Sequence, residues 1–316
     1  MTGLDGARAY YLRFGEPMLR ERFPELLPHL AAGLFGSGSE CFGYDDEVSR
    51  DHDFPPGFCL LLPGEDVIDR RTEFQLERAY AALPKEFDGL TRSGLAPVGG
   101  ARRGVLRLAD FFRDRTGSPD GKLTLDRWLA VPEYALAEAV NGEVFYDGSG
   151  ELTVIRERLA YLPEDVRRKK LAGELLLMAQ AGQYNYRRCL SHGETGAAQL
   201  AAWEFVRAAM HAIFLLNRRY LPFYKWRFRA LRELPLLSGE AASMEFLLST
   251  DNGPENAEEK YYAIEDTAAA VIGVLQEQEL TEAVCGDLEK HAYSVNDGIS
   301  DPEVRNSHIL RAVEQG

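Results

Sequence analysis

Cysteine is scarce in this chain of 316 residues, and the few thiols are isolated from one another. They are Cys41, Cys59, Cys189 and Cys285. None belongs to a Cys-x-x-Cys pair, and none lies near a histidine at the spacing that zinc fingers use. The pattern excludes a disulfide-bonded scaffold and predicts free thiols in a reducing cytosol.

Long apolar runs are also missing. Stretches such as Ala212–Leu216 are far shorter than the roughly 20 residues that a membrane-spanning helix needs. Charged residues occur early in the N-terminal segment, at Asp5, Arg8, Arg13, Glu16 and Arg20. Charges placed before any apolar stretch are atypical of a signal peptide. We therefore expect a cytoplasmic protein that makes no membrane contact.

Positive charge is in the minority, with 36 Lys and Arg against 50 Asp and Glu, a net charge of −14. Nucleic-acid binding depends on cationic side chains that displace counterions from phosphates, so broad nucleic-acid binding is not expected. The cations are unevenly distributed, because residues 161–234 hold 13 Lys and Arg against 6 Asp and Glu. A local cationic surface can attract a small phosphate-bearing ligand even when the whole chain is acidic.

Strand and helix patterns divide the chain near residue 150. Before it, short apolar stretches at 58–62 and 104–108 predict strands, and 72–83 predicts a helix. The segment 10–34 also predicts helix, interrupted where Pro24 can open a new helix. We therefore place one domain at 1–150 and a second at 151–316.

The second domain shows only helical periodicity. The predicted helices are 152–159, 166–182, 197–220, 226–234, 265–279 and 280–291. The acidic segment 249–259, rich in Asn, Gly and Pro, predicts a solvated loop. One helix carries an apolar stripe expected in the core, made of Leu200, Trp203, Val206, Met210, Ile213 and Leu216.

The pattern that indicates chemistry is a small turn followed by two acids. Gly36-Ser37-Gly38-Ser39 lets a phosphate approach backbone N–H groups and a hydroxyl. Eleven residues separate Ser39 from Asp51, and one residue separates Asp51 from Asp53. On a strand, that spacing puts both carboxylates on one face, where they suit Mg²⁺ or Mn²⁺. The alternative is a glycine turn followed by solvated acids on an edge strand.

This order of motifs resembles the DNA polymerase beta superfamily of nucleotidyltransferases. It resembles more closely a bacterial family of unknown function with a nucleotidyltransferase-like fold. The matching segments are 36–40, 43–53, 126–132, 142–147 and 217–226, and the resemblance spans about 10–235. It implies that Gly38 and Ser39, with Ser37 beside them, hold a nucleoside triphosphate, and that Asp51 and Asp53 hold metal and are catalytic. The expected fold class is α+β, a nucleotidyltransferase-type small mixed sheet with helices followed by an all-helical bundle.

One departure from the superfamily concerns a third carboxylate on a later strand. The candidate strand, Gly104–Leu108, contains no acid. Asp110, Asp126 and Asp147 lie near predicted element ends, and the sequence does not choose among them. A catalytically silent, nucleotide-binding regulator is therefore a second hypothesis.

A second group of candidate residues lies in the helical half. Arg218 and Lys225 flank Pro222 among aromatic residues, and we expect both to contact the triphosphate. The alternative is a solvated basic corner. The run Arg167–Lys170 is interpreted as a solvated helix face, and His211 has no partner at a recognisable spacing.

We therefore expect a nucleotidyltransferase that moves a nucleoside monophosphate from a triphosphate to a hydroxyl, with Mg²⁺ or Mn²⁺. The acidic composition favours a small-molecule or protein acceptor. A protein-interaction module on the same fold is the third hypothesis.

Overall fold

A computed structural model describes residues 2–46, 56–91 and 103–313. Asp51 and Asp53 therefore lie outside the described residues. The strands are β1 (Ala31–Leu34), β2 (Cys59–Leu62), β3 (Glu86–Phe87), β4 (Leu90–Thr91), β5 (Gly104–Arg107) and β6 (Glu143–Asp147). The helices of the first half are α1 (Gly3–Tyr10), α2 (Glu16–Arg22), α3 (Arg70–Ala81), α4 (Leu108–Thr116), α5 (Leu125–Ala130), α6 (Glu133–Val140) and α7 (Glu151–Arg158).

Helices alone make up the rest of the regular structure after α7 in the described chain. They are α8 (Glu164–Met178), α9 (Arg187–Ser191), α10 (Thr195–Leu216), α11 (Arg227–Arg232), α12 (Glu240–Ser249), α13 (Pro254–Glu277), α14 (Leu288–Asp297) and α15 (Pro302–Asn306). A π-helical segment, Ala179–Tyr186, continues α8. The expected α+β class, a small mixed sheet with helices followed by a helical region, is confirmed. None of the helices described is long and apolar enough to cross a membrane.

Two compact units divide the chain, at positions other than residue 150. The first contains 1–123 and 135–160, and the second contains 124–134 and 161–316. Helix α7 stays with the first unit because Arg156 donates hydrogen bonds to the carbonyls of Val140 and Asn141, at 2.7 and 2.9 Å. Helix α5 packs on α8 in the second unit. This interleaved division differs from the single boundary expected at residue 150.

The first unit is built on a four-stranded mixed sheet of order β5-β2-β1-β6. Strand β1 is antiparallel to both β2 and β6, and β2 is parallel to β5. All four residues of β1 are buried, as expected for an inner strand. Aromatic rings cover the sheet, and Tyr80 fixes β2 by donating its hydroxyl to the Phe58 carbonyl at 2.6 Å.

Strand β1 was not expected from the sequence, which predicted helix as far as Leu34. The chain instead forms a short 3₁₀ helix, Pro24–His29, and then becomes extended. Ala and Leu are good helix formers, but intrinsic propensity amounts to less than about 1 kcal/mol per residue, and pairing with strands on both sides outweighs it. The Gly36–Ser39 turn therefore follows a strand, not a helix.

The second unit is a helical assembly in which α10 and α14 both pack against α8. Its observed helices differ from two expectations. Residues 254–259 form the first turns of α13, since Pro254 is well placed at the start of a helix. Residues 280–287 are not helical, and the helix begins at Leu288, where Asp287 caps it.

The apolar stripe of α10 is only partly buried. Val206, Met210, Ile213 and Leu216 lie in the core, as expected. Leu200 and Trp203, nearer the start of the helix, are 71% and 49% exposed. The apolar periodicity correctly predicted the helix, but it did not show that the apolar face of the first turns of α10 is exposed to solvent.

Candidate functional site

The Gly36–Ser39 turn leaves the end of β1 and is fixed by one asparagine. Gly36 has φ +116°, a conformation that favours glycine. Its N–H donates to Oδ1 of Asn141 at 2.9 Å, and Nδ2 of Asn141 donates to the Gly36 carbonyl at 2.7 Å. This pair of hydrogen bonds holds the turn to the residue that follows α6.

Ser39 begins a 3₁₀ helix, Ser39–Phe42, directly after the turn. The side chain of Glu40 folds back beneath Gly38, so that a Cβ at position 38 would overlap its carboxylate. Ser39 is buried, whereas Ser37 is partly exposed. Any residue other than glycine at position 38 would therefore have to displace the carboxylate of Glu40.

A buried ion pair lies next to the turn. Nη2 of Arg103 donates to Oε1 of Glu40 at 2.9 Å, and both side chains are almost fully buried. Oε2 of Glu40 is buried without a hydrogen-bond partner in the described structure. Arg103 therefore offsets the negative charge that Glu40 places next to the turn.

A second guanidinium reaches the same turn from α4. Nη1 of Arg115 donates to the Phe111 carbonyl at 3.0 Å, and its Nη2 lies 3.1 Å from the position a Cβ would take at Gly36. The nearest carboxylate oxygen, Oε2 of Glu138, is 3.9 Å from Nε. Burial lowers the pKa of Arg115, and the charge of Glu138 acts in the opposite direction.

The metal-binding prediction rests on residues that the structure does not describe. Asp51 and Asp53 fall in the gap between residues 46 and 56. Within 2–46, 56–91 and 103–313, no group of three or more His, Cys, Asp or Glu residues is arranged to hold a metal ion. The metal role of the two aspartates stays a prediction.

The three candidates for a third carboxylate each have another structural partner. Asp147, at the end of β6, accepts hydrogen bonds from the N–H groups of Gly150 and Thr153, at 3.0 and 2.8 Å. Asp110 pairs with Arg113, one turn along α4.

The third candidate, Asp126, lies in the second unit and pairs with Arg311 at 2.9 Å. Each of the three side chains therefore has a partner, a helix N-terminus for Asp147, a neighbour on the same helix for Asp110 and a residue distant in sequence for Asp126.

Arg218 and Lys225 both lie in the second unit. Arg218 has φ +52° just after α10, and its Nη2 is 2.9 Å from Oε2 of Glu164. Lys225 is exposed, and its Nζ lies 4.9 Å from the centre of the Trp226 ring. Their contact with a triphosphate stays a prediction, and the carboxylate that Arg218 contacts, Glu164, is shared with Arg167 and Arg168.

The run Arg167–Lys170 is not a solvated face. Arg167, Lys169 and Lys170 are almost completely buried, and each reaches a different partner. Arg167 donates to both carboxylate oxygens of Glu164, at 2.7 and 3.0 Å. Long cationic side chains are buried only when such partners exist, so this interpretation was wrong.

Lys170 leads to a buried charged cluster in the second unit, formed by Glu133, Lys170, Glu174, Arg207 and His211. Nδ1 of His211 lies 2.8 Å from Oε1 of Glu174, and Nε2 lies 2.9 Å from Oε1 of Glu133. Lys170 approaches Glu133 to 3.5 Å, and Arg207 approaches Glu174 to 3.6 Å. Glu133 also accepts a hydrogen bond from the N–H of Leu221 at 3.1 Å.

Electrostatics in the buried charged cluster keep the imidazole protonated. Burial alone would lower the pKa of His211, but the carboxylates of Glu133 and Glu174 outweigh burial and raise it to about 9. Burial would likewise raise the pKa of Glu133, but His211 and Lys170 lower it to about 2. At neutral pH both ring nitrogens of His211 therefore donate to carboxylates.

Sequence reasoning missed the buried charged cluster because its partners are distant along the chain. His211 lies 37 residues from Glu174 and 78 from Glu133. The only local signal is the spacing of four between Lys170 and Glu174 on α8 and between Arg207 and His211 on α10. That spacing places each pair on one helix face, but it is common to solvated helices as well.

Comparison with known proteins adds two findings. Residues 128–227 match a family described as "Domain of unknown function (DUF4037)". The match includes the buried charged cluster, Arg218 and Lys225, but not the Gly36–Ser39 turn. No curated protein matches the sequence.

One solved structure with an overall likeness is a nucleotidyltransferase-like protein from Exiguobacterium sibiricum 255-15. It is 13% identical, with a TM-score of 0.36, and the likeness covers 90% of this chain and 80% of that one. Membership of the DNA polymerase beta superfamily stays a prediction.

Proposed function

We propose that this protein transfers a nucleoside monophosphate from a nucleoside triphosphate to a hydroxyl of a small molecule or a protein. The observation that carries the proposal is the Gly36–Ser39 turn at the end of an inner strand, followed after eleven residues by Asp51-x-Asp53. Backbone N–H groups in such a turn suit phosphate oxygens. Two carboxylates at this spacing suit a divalent cation.

In the proposed reaction, the acceptor oxygen forms a bond to the α-phosphorus of the triphosphate. The bond from that phosphorus to the α–β bridging oxygen breaks, pyrophosphate leaves with the electron pair, and the hydroxyl proton passes to solvent. Residues 36–39 hold the phosphates, while Arg218 and Lys225 are proposed as further cationic contacts. Asp51 and Asp53 would hold Mg²⁺ or Mn²⁺, which neutralises charge on the phosphates when bound.

The first test measures the binding of each of the four nucleoside triphosphates by isothermal titration calorimetry, once with Mg²⁺ and once with EDTA. We expect one or more to bind with Mg²⁺, and Asp51→Asn to weaken that binding. Asp66→Asn is the control, because Asp66 is an exposed aspartate in a described loop. The proposal is wrong if none of the four binds to the unaltered protein.

Transfer itself is tested with triphosphates labelled at the α-phosphorus, incubated with small-molecule and protein extracts. A labelled product that Asp51→Asn does not form supports the enzyme.

A nucleotide-binding regulator without transfer is the second candidate, and one observation favours it. Asp110, Asp126 and Asp147 are each engaged in caps or ion pairs. Binding of a triphosphate without any labelled product would support the regulator and contradict the transferase.

A further inference from the structure

Arg115 contacts the phosphate turn of the first unit from a separate element. It lies in the last turn of α4, on the helix that follows β5. Its Nη2 comes to 3.1 Å from the place of a Cβ at Gly36, so any other residue at position 36 would be in close contact with this guanidinium. Because Gly36 has no side chain, the guanidinium of Arg115 can lie close to this first residue of the turn.

The guanidinium of Arg115 is poorly satisfied for a group of this kind. It has five N–H donors. Within the described chain it makes a hydrogen bond to the Phe111 carbonyl, and its buried Nε makes none. Glu138, at 3.9 Å, lies beyond hydrogen-bond distance. A partly buried cation whose carboxylate partner lies 3.9 Å away keeps part of its desolvation cost, and an incoming anion would reduce that cost.

The position of Arg115 is fixed by packing. Its guanidinium lies 3.9 Å from the centre of the Phe111 ring, where it stacks on the aromatic face. Phe111 in turn packs edge-on against Phe35, the residue immediately before Gly36. Phe35, which leads directly into the turn, thus holds the Arg115 guanidinium beside it through Phe111. Because the side chain is already fixed, it would lose little conformational freedom when a phosphate binds.

We propose that Arg115 binds a phosphate group of the nucleotide held at Gly36–Ser39. The inference rests on the proposed function and adds to it a specific residue of the first unit. A guanidinium presents paired N–H donors that match phosphate oxygens, which a lysine ammonium does not. Glu138 competes weakly for the same charge when no phosphate is present.

The experiment measures dissociation constants for nucleoside triphosphate, for inorganic tripolyphosphate and for the nucleoside alone. We expect Arg115→Ala to weaken binding of both phosphate ligands about 10- to 100-fold, the loss of one charge-assisted hydrogen bond. Arg115→Lys keeps the charge and recovers part of the affinity. The control is Arg113→Ala on the same helix, where the arginine is exposed and pairs with Asp110.

A second variant gives an effect of opposite sign. Glu138→Gln removes the competing charge 3.9 Å from Arg115 and is expected to tighten phosphate binding two- to fivefold. A purely structural role for Arg115 predicts no such gain. This variant keeps the test decisive if Arg115→Ala fails to fold.

The outcomes separate this inference from the proposed function. If triphosphate binds but the Arg115 and Glu138 variants bind like the unaltered protein, the Arg115 inference is wrong and the function stands. Binding of tripolyphosphate that depends on Arg115, without nucleotide binding, overturns the function and supports the anion site. No binding of either ligand to the unaltered protein overturns both.

Discussion

At the scale of single residues, His211 links two buried carboxylates in the core of the second unit. It contacts Glu133 and Glu174 at 2.9 and 2.8 Å, whereas Lys170 and Arg207 lie farther from these two buried carboxylates, at 3.5 and 3.6 Å. Removing one member of a buried ion pair is far more damaging than replacing the whole pair by apolar groups. The buried charged cluster therefore acts as one unit in stability.

We expect His211→Ala to lower the free energy of unfolding by about 3–5 kcal/mol, because two carboxylates would remain buried without the imidazolium. Urea denaturation followed by circular dichroism measures the change. His192→Ala, at an exposed histidine, is the control and should change stability by less than about 0.5 kcal/mol. Equal effects of the two substitutions would contradict this role.

The same histidine sets an alkaline limit on stability. Its pKa is about 9 in the folded chain against a model-peptide value of 6.5. Its contribution is therefore complete below pH 6.5 and is lost as pH rises through 9. Urea denaturation between pH 6 and 10 should show this fall in the unaltered protein and a much shallower one in His211→Ala. A fall of the same size in both would assign it to other groups.

Much of this residue-level detail was not predictable from the sequence. The turn at residues 36–39 could be located, because glycine and serine in a short run favour turns, whereas its role in phosphate binding stays a prediction. The roles of Lys170 and His211 depend on contacts 37 to 78 residues apart, which no local pattern encodes. The same holds for Arg115, since nothing in its own helix indicates that Gly36 lies beside it.

At the scale of elements, glycine in the turn after β1 and glycine inside helix α1 have different surroundings. Gly38 lies against the carboxylate of Glu40, whereas a Cβ at Gly6, inside α1, would meet nothing within 4 Å. We expect Gly38→Ala to destabilise by about 1–3 kcal/mol through overlap, and Gly6→Ala to stabilise by about 0.5–1 kcal/mol through helix propensity. Thermal unfolding of the two variants should therefore shift in opposite directions.

Helix α8 holds the C-terminal elements of the second unit through one buried amine. Nζ of Lys169 donates to Oδ1 of Asn296 and to the carbonyls of Arg305 and Ser307, at 2.9, 3.3 and 2.7 Å. All three N–H donors are satisfied without a carboxylate. Lys169 therefore connects α8 to both α14 and the end of α15.

We expect Lys169→Met to release these elements, because the Ser307 carbonyl would lose its donor, while the Arg305 carbonyl would keep the donor from Nδ2 of Asn296 at 3.2 Å. The cost should be about 2–3 kcal/mol. Hydrogen exchange should accelerate in residues 299–313 while the sheet of the first unit is unchanged. Lys290→Met, at an exposed lysine of α14, is the control and should leave exchange as it was.

The prediction of helices and strands succeeded where the apolar pattern along the chain was clear. It failed where hydrogen bonding to neighbouring strands decided the conformation. Helices α3 and α10 and strands β2 and β5 lie close to their predicted positions. Strand β1 was missed because its four residues, Ala31–Leu34, are extended only by virtue of β2 and β6 on either side. The start of α13 was missed because a polar, glycine- and proline-containing segment resembles a loop until the helix packs.

At the scale of the whole molecule, the count of charges overstated the cationic surface of the second unit. Residues 161–234 hold 13 Lys and Arg, but Arg167, Lys169 and Lys170 are buried among their own partners. These charges serve folding of the second unit. The strand and helix patterns nevertheless identified the correct classes of structure, a mixed first part and a helical second part.

The interleaved division predicts how the chain responds to truncation. A fragment of residues 151–316, cut at the boundary that the sequence suggests, lacks Glu133 and helix α5. His211 and Lys170 would then lose a buried carboxylate, and we expect the fragment to unfold at least 10 °C below the full chain or to remain unfolded. Calorimetry of both measures this, and a fragment as stable as the full chain would contradict it.

The interleaving of the two units also limits how such a protein can be recombined in evolution. A single crossover between genes exchanges everything on one side of a point, yet each unit here is assembled from two separate stretches of chain. A helical unit inherited by such an exchange would lack this chain's residues 124–134. The His211 imidazolium would then contact Glu174 but not Glu133. We therefore expect a crossover at residue 150 to destabilise the helical unit unless the incoming sequence also carries a carboxylate at position 133.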